Sequence, residues 1–425
     1  MRVPTLRSSL WFLLIFGPAT HSPAQALPAT PPPAATDNFA AEPFVILHRA
    51  SMIAMQADGT GYREQTLAVR VQSDAALRQL GVVTVPFASK AEHVDFTYVR
   101  VRHPDGSVLA TDTADALDEP LPVTREAPFY SDLKQKELPI RSLRLGDTIE
   151  WQVRITRTVA EAPNHFWGSE TFAKDAVILA ETLELRVPAT TTVNVWTNSG
   201  MSAPTSTLVG AEHVYRWQRT QLNPTAGPAA EAAKKDKDAH LLTAAEELDA
   251  TQGALPDVAW TTFPDWAAVG AWYRELALSR AAPDDTLRAK VTELTAGKTT
   301  DENKARALYT YVATQIRYIG VSFGVGRYQP HTAAEVLANQ YGDCKDKHTL
   351  LAALLAAAGI ASDPVLIGEG IRFNDAVPSP ASFNHLITLA HIGGPDPAHA
   401  VWLDTTTEIA PWRVLVPTIR DHAPS

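Results

Sequence analysis

Hydrophobic periodicity changes once along this chain, and that change bounds what the chain can fold into. Between residues 42 and 223, short segments alternate apolar and polar side chains, at 66–71, 93–102, 147–156, 181–187, 192–197 and 213–218. Alternation at period two puts every second side chain on one face, which is the pattern of half-buried strands. Pro104-Asp105-Gly106 and Gly146-Asp147 supply turn chemistry between segments. Strands of this length and spacing predict an all-β, sandwich-like or barrel N-terminal domain with antiparallel pairing. Trp151, Trp167, Trp196 and Trp217 lie in this region and are expected to fill its core.

From residue 256 onward the period becomes helical. Residues 265–280 carry Trp266, Val269, Trp272 and Leu276 at helical spacing, and 284–296 follow after Pro283. Residues 301–317 place Ala307, Leu308, Tyr311, Val312 and Ile316 on one face. After a glycine-rich run at 319–331, Thr332 and Glu335 form a capping-box pair opening a short helix. The next helix starts at Cys344 and is apolar on most sides past its first turn, so it belongs in the middle of a domain, with Gly359 as its stop. Strands are expected at 364–368, 384–390 and 400–404. The fold class is therefore multidomain, an all-β N-terminal domain at 42–223 followed by an α+β core at 256–425. The Ala-, Lys- and Asp-rich stretch 224–255 reads as a linker, and KKDKD within it as a solvated charge cluster.

The chain begins with Arg2 and Arg7, a short apolar run LWFLLIF and Ala24-Gln25-Ala26, the pattern of a signal peptide over residues 1–26. The apolar run is too short for a permanent span, which takes about 20 residues. A Pro/Ala-rich lead-in covers 27–41. The mature chain is expected to be exported to the periplasm or beyond, without stable membrane insertion. A formal net charge of −10 and the lack of a basic stripe argue against nucleic acid as a partner. The sequence does not fix the oligomeric state.

Export makes Cys344 conspicuous, because it is the only cysteine. Exported chains tend to carry none, or an even set held in disulfides. A lone thiol at the start of a helix, where backbone N–H groups favour anions, is a candidate nucleophile. The plainer reading is a small buried hydrophobe. A nucleophile needs a base, and the base needs a group to hold it. His385 begins one expected strand and Asp404 ends the next, with Ile392-Gly393-Gly394-Pro395-Asp396 as the turn between them. An antiparallel hairpin would bring the start of the first strand beside the end of the second. His348 is a rival base, one helical turn beyond Cys344 and on the same face. Cys344 and His348 alone cannot make a zinc site, which takes three or four ligands. GVGRYQP lacks the lysine of a phosphate loop, and no calcium loop is present.

These residues also carry a family resemblance. YGDCKDKHTLLAALLAAAGI, then FNHLITLA and VWLDTT, with IRYIGVSFGVGRYQPHTAAEVL upstream, resemble the transglutaminase-like core of exported bacterial proteins. PFYSDLKQKELPIRSLRLGDTIEWQVRI, at 128–155, resembles the β-rich domain of unknown function that precedes that core in such proteins. Together the likeness spans about residues 40–415.

The resemblance implies a papain-like α+β core with Cys344 as nucleophile, His385 as general base and acid, and Asp404 as orienter. It implies an oxyanion hole made by the Cys344 N–H and one upstream side chain, for which Tyr328, Gln329 and Gln340 are the candidates. His348 stands where the family usually has a small residue, and there it would crowd the substrate side of the site or serve as a second base. The family usually continues with further β-rich sequence, so a chain ending at APWRVLVPTIRDHAPS would be naturally short or truncated. The implied activity is cysteine-dependent acyl transfer at a carboxamide or peptide bond through a thioester, without a cofactor. The substrate would be a protein or peptide offering glutamine or another amide. The alternative is a non-catalytic envelope-binding or scaffolding protein with an inactive core.

Overall fold

The computed structural model describes residues 39–122, 124, 127, 132–224, 255–320, 328–368, 371, 373–394, 396, 399–407, 412–416 and 419. The expected leader, nearly all of the lead-in and linker, and residues 321–327 of the glycine-rich run lie outside these.

The N-terminal region is built from strands. β1 (Phe44–Met55) and β2 (Gly61–Val71) are joined to β3 (Val82–Ala88) through the short helix α1 (Asp74–Leu80). β4 (Glu92–Arg102), β5 (Val108–Thr111), β6 (Leu117–Pro120), β7 (Leu133–Pro139) and β8 (Thr148–Arg157) follow. Then come β9 (Trp167–Glu170), β10 (Ile178–Pro188), β11 (Asn194–Thr197), β12 (Thr205–Val209) and β13 (Glu212–Gln221). Eight of them form one sheet in the order β12-β13-β10-β1-β2-β8-β4-β5.

Antiparallel pairing is interrupted once, where β1 and β10 run parallel. A parallel pair needs a long crossover, and here the intervening strands β2 to β9 provide it.

Two small sheets cover the large one. β3-β7-β6 lies over one part, where Val83, Val85, Phe87 and Leu138 pack with Val69, Val94, Ile149 and Val153. Over another part, Ile53, Leu183, Leu185 and Trp217 pack with Val258 and Trp260. The last two belong to β14 (Val258–Thr261), which lies between β11 and β9.

This strand corrects the expectation that the region beyond residue 256 starts as helix. The residues Val-Ala-Trp-Thr favour a pleated, buried surface, and all four are buried.

Beyond β14 the elements follow the sequence pattern. α2 (Trp266–Leu278) is capped by Asp265, α3 (Asp285–Leu294) by Asp284 and α4 (Asp301–Gln315) by Thr300. A two-residue strand β15 (Arg317–Tyr318) pairs with β16 (Tyr341–Gly342), flanking α5 (Ala333–Asn339). Thr332 and Glu335 make the expected capping box.

α6 (Cys344–Ala357) is the axis of the core. Leu350, Leu351, Leu354 and Leu355 are each fully buried against α3, α4, α5 and a three-stranded sheet. That sheet is β17 (Ala361–Ile367), β18 (His385–His391) and β19 (Ala400–Leu403), in that order. Burying one leucine side chain is worth about 2 kcal/mol, so the stripe holds α6 firmly in place. Gly359 ends the helix with φ +81, a backbone conformation that costs glycine little.

Candidate active site

The start of α6 is an unusual piece of helix. Asp343, Lys345, Asp346 and Lys347 are fully buried, although charged side chains are seldom buried unless paired. Each has a partner. The Asp343 carboxylate caps the helix by accepting from the Asp346 N–H at 3.2 Å, and it also accepts from the Lys345 ammonium. Asp346 accepts from the His331 backbone N–H at 2.8 Å and lies 3.1 Å from His331 Nδ1. Lys347 donates to the Ile316 carbonyl at 2.6 Å and to Ala313, satisfying carbonyls at the end of α4.

Burial and the neighbouring Asp346 charge push Asp343 up to about 6. Burial opposes ionisation of Asp346 as well, but His331 and Lys345 hold it below its usual range. Gly342 is required in this arrangement, because a Cβ there would come within 2.6 Å of the Asp346 Cβ. The network fixes the first turn of α6, and Cys344 opens that turn.

The sheet supplies the other two residues. The register pairs Thr388 with Leu403, Ala390 with Val401 and His391 with Ala400. Extended by one residue, it sets Asp404 opposite Ile387, two residues from His385. The two side chains therefore meet on the diagonal rather than directly across. His385 Nε2 and Asp404 Oδ2 are 3.1 Å apart.

The rest of Asp404 is held as well. Its Oδ1 accepts from the Thr406 N–H at 2.9 Å and from the Thr406 hydroxyl at 2.7 Å, while its backbone carbonyl accepts from the Tyr309 hydroxyl at 2.9 Å. An ionised carboxylate only accepts, so Nε2 carries the proton and Nδ1 is left for the thiol. Burial disfavours the charged ring, but its interactions with Asp404, to which it donates, and with Cys344 outweigh this and raise His385 to about 10. Burial likewise opposes the Asp404 charge, and the His385 and Thr406 hydrogen bonds overcome it, holding Asp404 below its usual range. Cys344, His385 and Asp404 are thus brought together, from a helix start, a strand start and the residue after a strand.

The other expected residues fall in different places. Tyr328 is buried in the cluster that holds Cys344, with its ring edge-on to Trp167. Gln329 is exposed. Gln340 is an exposed left-handed cap of α5, with φ 60 and its amide bonded to the Leu337 carbonyl and the Tyr311 hydroxyl, so its donors serve the helix end rather than an oxyanion. His348 is buried, with Nδ1 at 2.7 Å from the Thr388 hydroxyl, and burial lowers it to about 4. It is a neutral bridge between α6 and β18.

Sequence reasoning missed four contributors. Trp167, Trp272 and Tyr273 pack around Cys344, which is only 3% exposed, and His331 anchors Asp346. Trp167 was expected in the core of the β domain. It lies instead at the seam, with ring centroids 5.5 Å from Trp272 and 5.6 Å from Tyr328. Among the described residues no group of three or more His, Cys, Asp or Glu is arranged to hold a metal. No described helix is long and apolar enough to cross a membrane.

With this geometry in hand, the likeness to known proteins has a physical counterpart. Residues 57–226 match DUF3857, described as a domain of unknown function with solved structure, and residues 288–366 match the transglutaminase-like superfamily core. The chain thus carries a DUF3857 domain followed by a transglutaminase-like core. The matched core contains Cys344, while His385 and Asp404 lie beyond it.

A crystal structure described as a putative protease from Parabacteroides distasonis ATCC 8503 has the same fold. It has a TM-score of 0.69 at 15% identity, over 85% of this chain and 67% of that one. An M1 zinc metallopeptidase from Deinococcus radiodurans aligns over 42% of this chain and 39% of its own, at 9% identity and a TM-score of 0.25, which is too low to bear on the fold. No curated relative matches the chain.

Proposed function

We propose that the protein is a cysteine-dependent acyl-transfer enzyme acting on a protein or peptide amide. The observation that carries this is the joint placement of Cys344, His385 and Asp404, with His385 hydrogen-bonded to Asp404 and near enough to Cys344 to feel its charge. The Cys344 sulfur attacks the carbonyl carbon, a C–S bond forms and the C–N bond breaks. The amine leaves with a proton from His385, and a thioester remains on Cys344. Water or a second amine then resolves it, giving hydrolysis or transamidation. The protease description of the Parabacteroides structure agrees with the first of these. The reading includes export, on the pattern of Arg2, Arg7, LWFLLIF and Ala24-Gln25-Ala26.

A second reading has a specific observation in its favour. A thiol only 3% exposed beneath tyrosine and tryptophan side chains suits a non-catalytic binding or scaffolding protein, in which Cys344 is a core residue. Acylation by p-nitrophenyl acetate, followed by mass spectrometry of the intact chain, separates the two. The enzyme reading expects one acetyl group on Cys344 and a loss of at least about a thousandfold in ester turnover for Cys344→Ala. Equal turnover in Cys344→Ala, or no adduct on Cys344, would leave the scaffolding reading.

A further inference from the structure

α2 buries Val269, Tyr273 and Ala277, residues spaced four apart and therefore on one face. Tyr273 and Ala277 share the buried cluster of Cys344 with Tyr328 and Leu386. Tyr273 is 1% exposed, and its hydroxyl has no hydrogen-bond partner among the described residues. Buried hydroxyls are nearly always paired, and one left unpaired destabilises the fold, so the exception asks for a reason.

The surroundings of this hydroxyl indicate what it faces. Burial first, and then the charges of Cys344, Asp343 and Asp346, raise its titration well above the usual tyrosine range. It therefore keeps its proton and is available as a donor in the buried cluster of Cys344, where the described residues offer it no acceptor. An acceptor would appear there in one circumstance. When sulfur adds to a carbonyl, the C=O electron pair moves onto oxygen, and a negative oxygen develops next to the new C–S bond.

The donors expected for that oxygen face other groups: Tyr328 shares the cluster, but the charges that act on its hydroxyl are those of Glu161 and Arg157 rather than of the sulfur. The Gln340 amide bonds the end of α5, Gln329 is exposed and His348 bonds Thr388. The Trp272 indole N–H is also buried without a partner among the described residues, but its ring packs on Trp167, Phe263 and Tyr328, whereas the Tyr273 hydroxyl is the one that feels the Cys344 charge.

We infer that the Tyr273 hydroxyl is a catalytic oxyanion donor for acyl chemistry at Cys344, acting with the Cys344 backbone N–H. That N–H is among the first-turn groups that a helix leaves without an internal acceptor. The inference rests on the acyl-transfer reading above. The hydroxyl keeps its proton throughout: it donates to the tetrahedral oxygen, and on collapse the electron pair returns to re-form C=O as the leaving group departs.

Two probes on the full-length chain test this. p-Nitrophenyl acetate acylates Cys344 through a tetrahedral oxyanion, whereas iodoacetamide alkylates it by displacement of iodide, with no oxyanion at all. Tyr273→Phe should lower the acylation rate by about 100-fold, the effect typical of losing one oxyanion donor. It should leave the iodoacetamide rate within about twofold, and its Tm unchanged or raised, because the residue loses an unpaired buried hydroxyl.

Acylation within about twofold of the wild type would overturn the role of Tyr273 while leaving Cys344 as the nucleophile. A parallel fall in acylation and alkylation would overturn it too, since the hydroxyl would then act on the sulfur or on packing. A lowered Tm would do the same, by showing the hydroxyl already satisfied in the free protein. Cys344→Ala that still turns over ester would remove the acyl-transfer reading itself, a result distinct from the other three.

Discussion

Asp404 shows how much of the site depends on single atoms. Both of its carboxylate oxygens and its carbonyl accept hydrogen bonds, so it has one position and one role toward His385. Burial works against a charged imidazole, yet the ring is raised from 6.5 to about 10 because Asp404 and Cys344 hold its proton. The folded state thus binds the His385 proton more tightly than the unfolded state. Its contribution to stability is complete below pH 6.5 and is lost as the pH rises through about 10. Asp404 is depressed, so its share is present above the ordinary carboxylate range and lost as the pH falls through its folded value. These are two views of one interaction, and the pair is intact across neutral pH.

Asp404→Asn keeps the shape and removes the charge. It should move the imidazole titration well below pH 10, as read by NMR of His385. It should also slow ester turnover by about a hundredfold. An imidazole still titrating near pH 10 in this variant would show that Asp404 is not what retains the proton.

At this scale the sequence was informative where a residue stands at an element boundary. Cys344, His385 and Asp404 each do. Tyr273 was hidden, because a tyrosine on the apolar face of an amphipathic helix reads as core. Its lack of a partner exists only once the tertiary structure has formed.

Between elements, the register of α6 against β18 sets the distance from sulfur to imidazole. Leu386 meets Cys344, Thr388 meets His348, and Ala390 joins the leucine stripe. Four residues of helix rise about 6 Å and two residues of strand about 6.7 Å, so the two elements stay in step over this span. The His348–Thr388 hydrogen bond pins that register from inside the core.

Thr388→Val preserves shape and leaves His348 Nδ1 without its partner. Urea unfolding should report a loss of about 1–3 kcal/mol, with slower alkylation of Cys344 as the helix start loosens. Unchanged stability would mean that leucine packing alone sets the register. His348 also gives a pH signature. Burial lowers it from 6.5 to about 4, so the unfolded state binds the extra proton between those values. Stability from this source is present above pH 6.5 and drains away as the pH falls toward 4.

Caps and stops such as Thr332, Glu335 and Gly359 were legible because their chemistry is local. The partner of His348 was not, since Thr388 lies in a strand whose register only the folded sheet defines.

The whole molecule is less modular than its sequence suggests. A period-two region, a linker and a helical region read as separate domains, yet β14 follows the linker and lies between β9 and β11. A strand of four residues leaves little periodicity to detect, so this interleaving was not visible in the sequence. Further contacts join the two regions. Asn194 Nδ2 donates to the Ala376 carbonyl, and Trp167 of β9 packs on Phe263, Trp272 and Tyr328.

Trp167 therefore belongs to the N-terminal domain by sequence and to the surroundings of Cys344 by position. With Cys344 only 3% exposed, a reagent that reaches the sulfur must displace part of this aromatic packing. Replacing Trp167 with alanine removes a ring from the seam and opens a path without touching Cys344, His385 or Asp404. Iodoacetamide should then modify Cys344 about tenfold faster, with Tm falling because a large aromatic has left a partly buried site. An alkylation rate equal to the wild type would assign access to the core alone. The faster rate would mean that the DUF3857 domain controls entry to the thiol it covers.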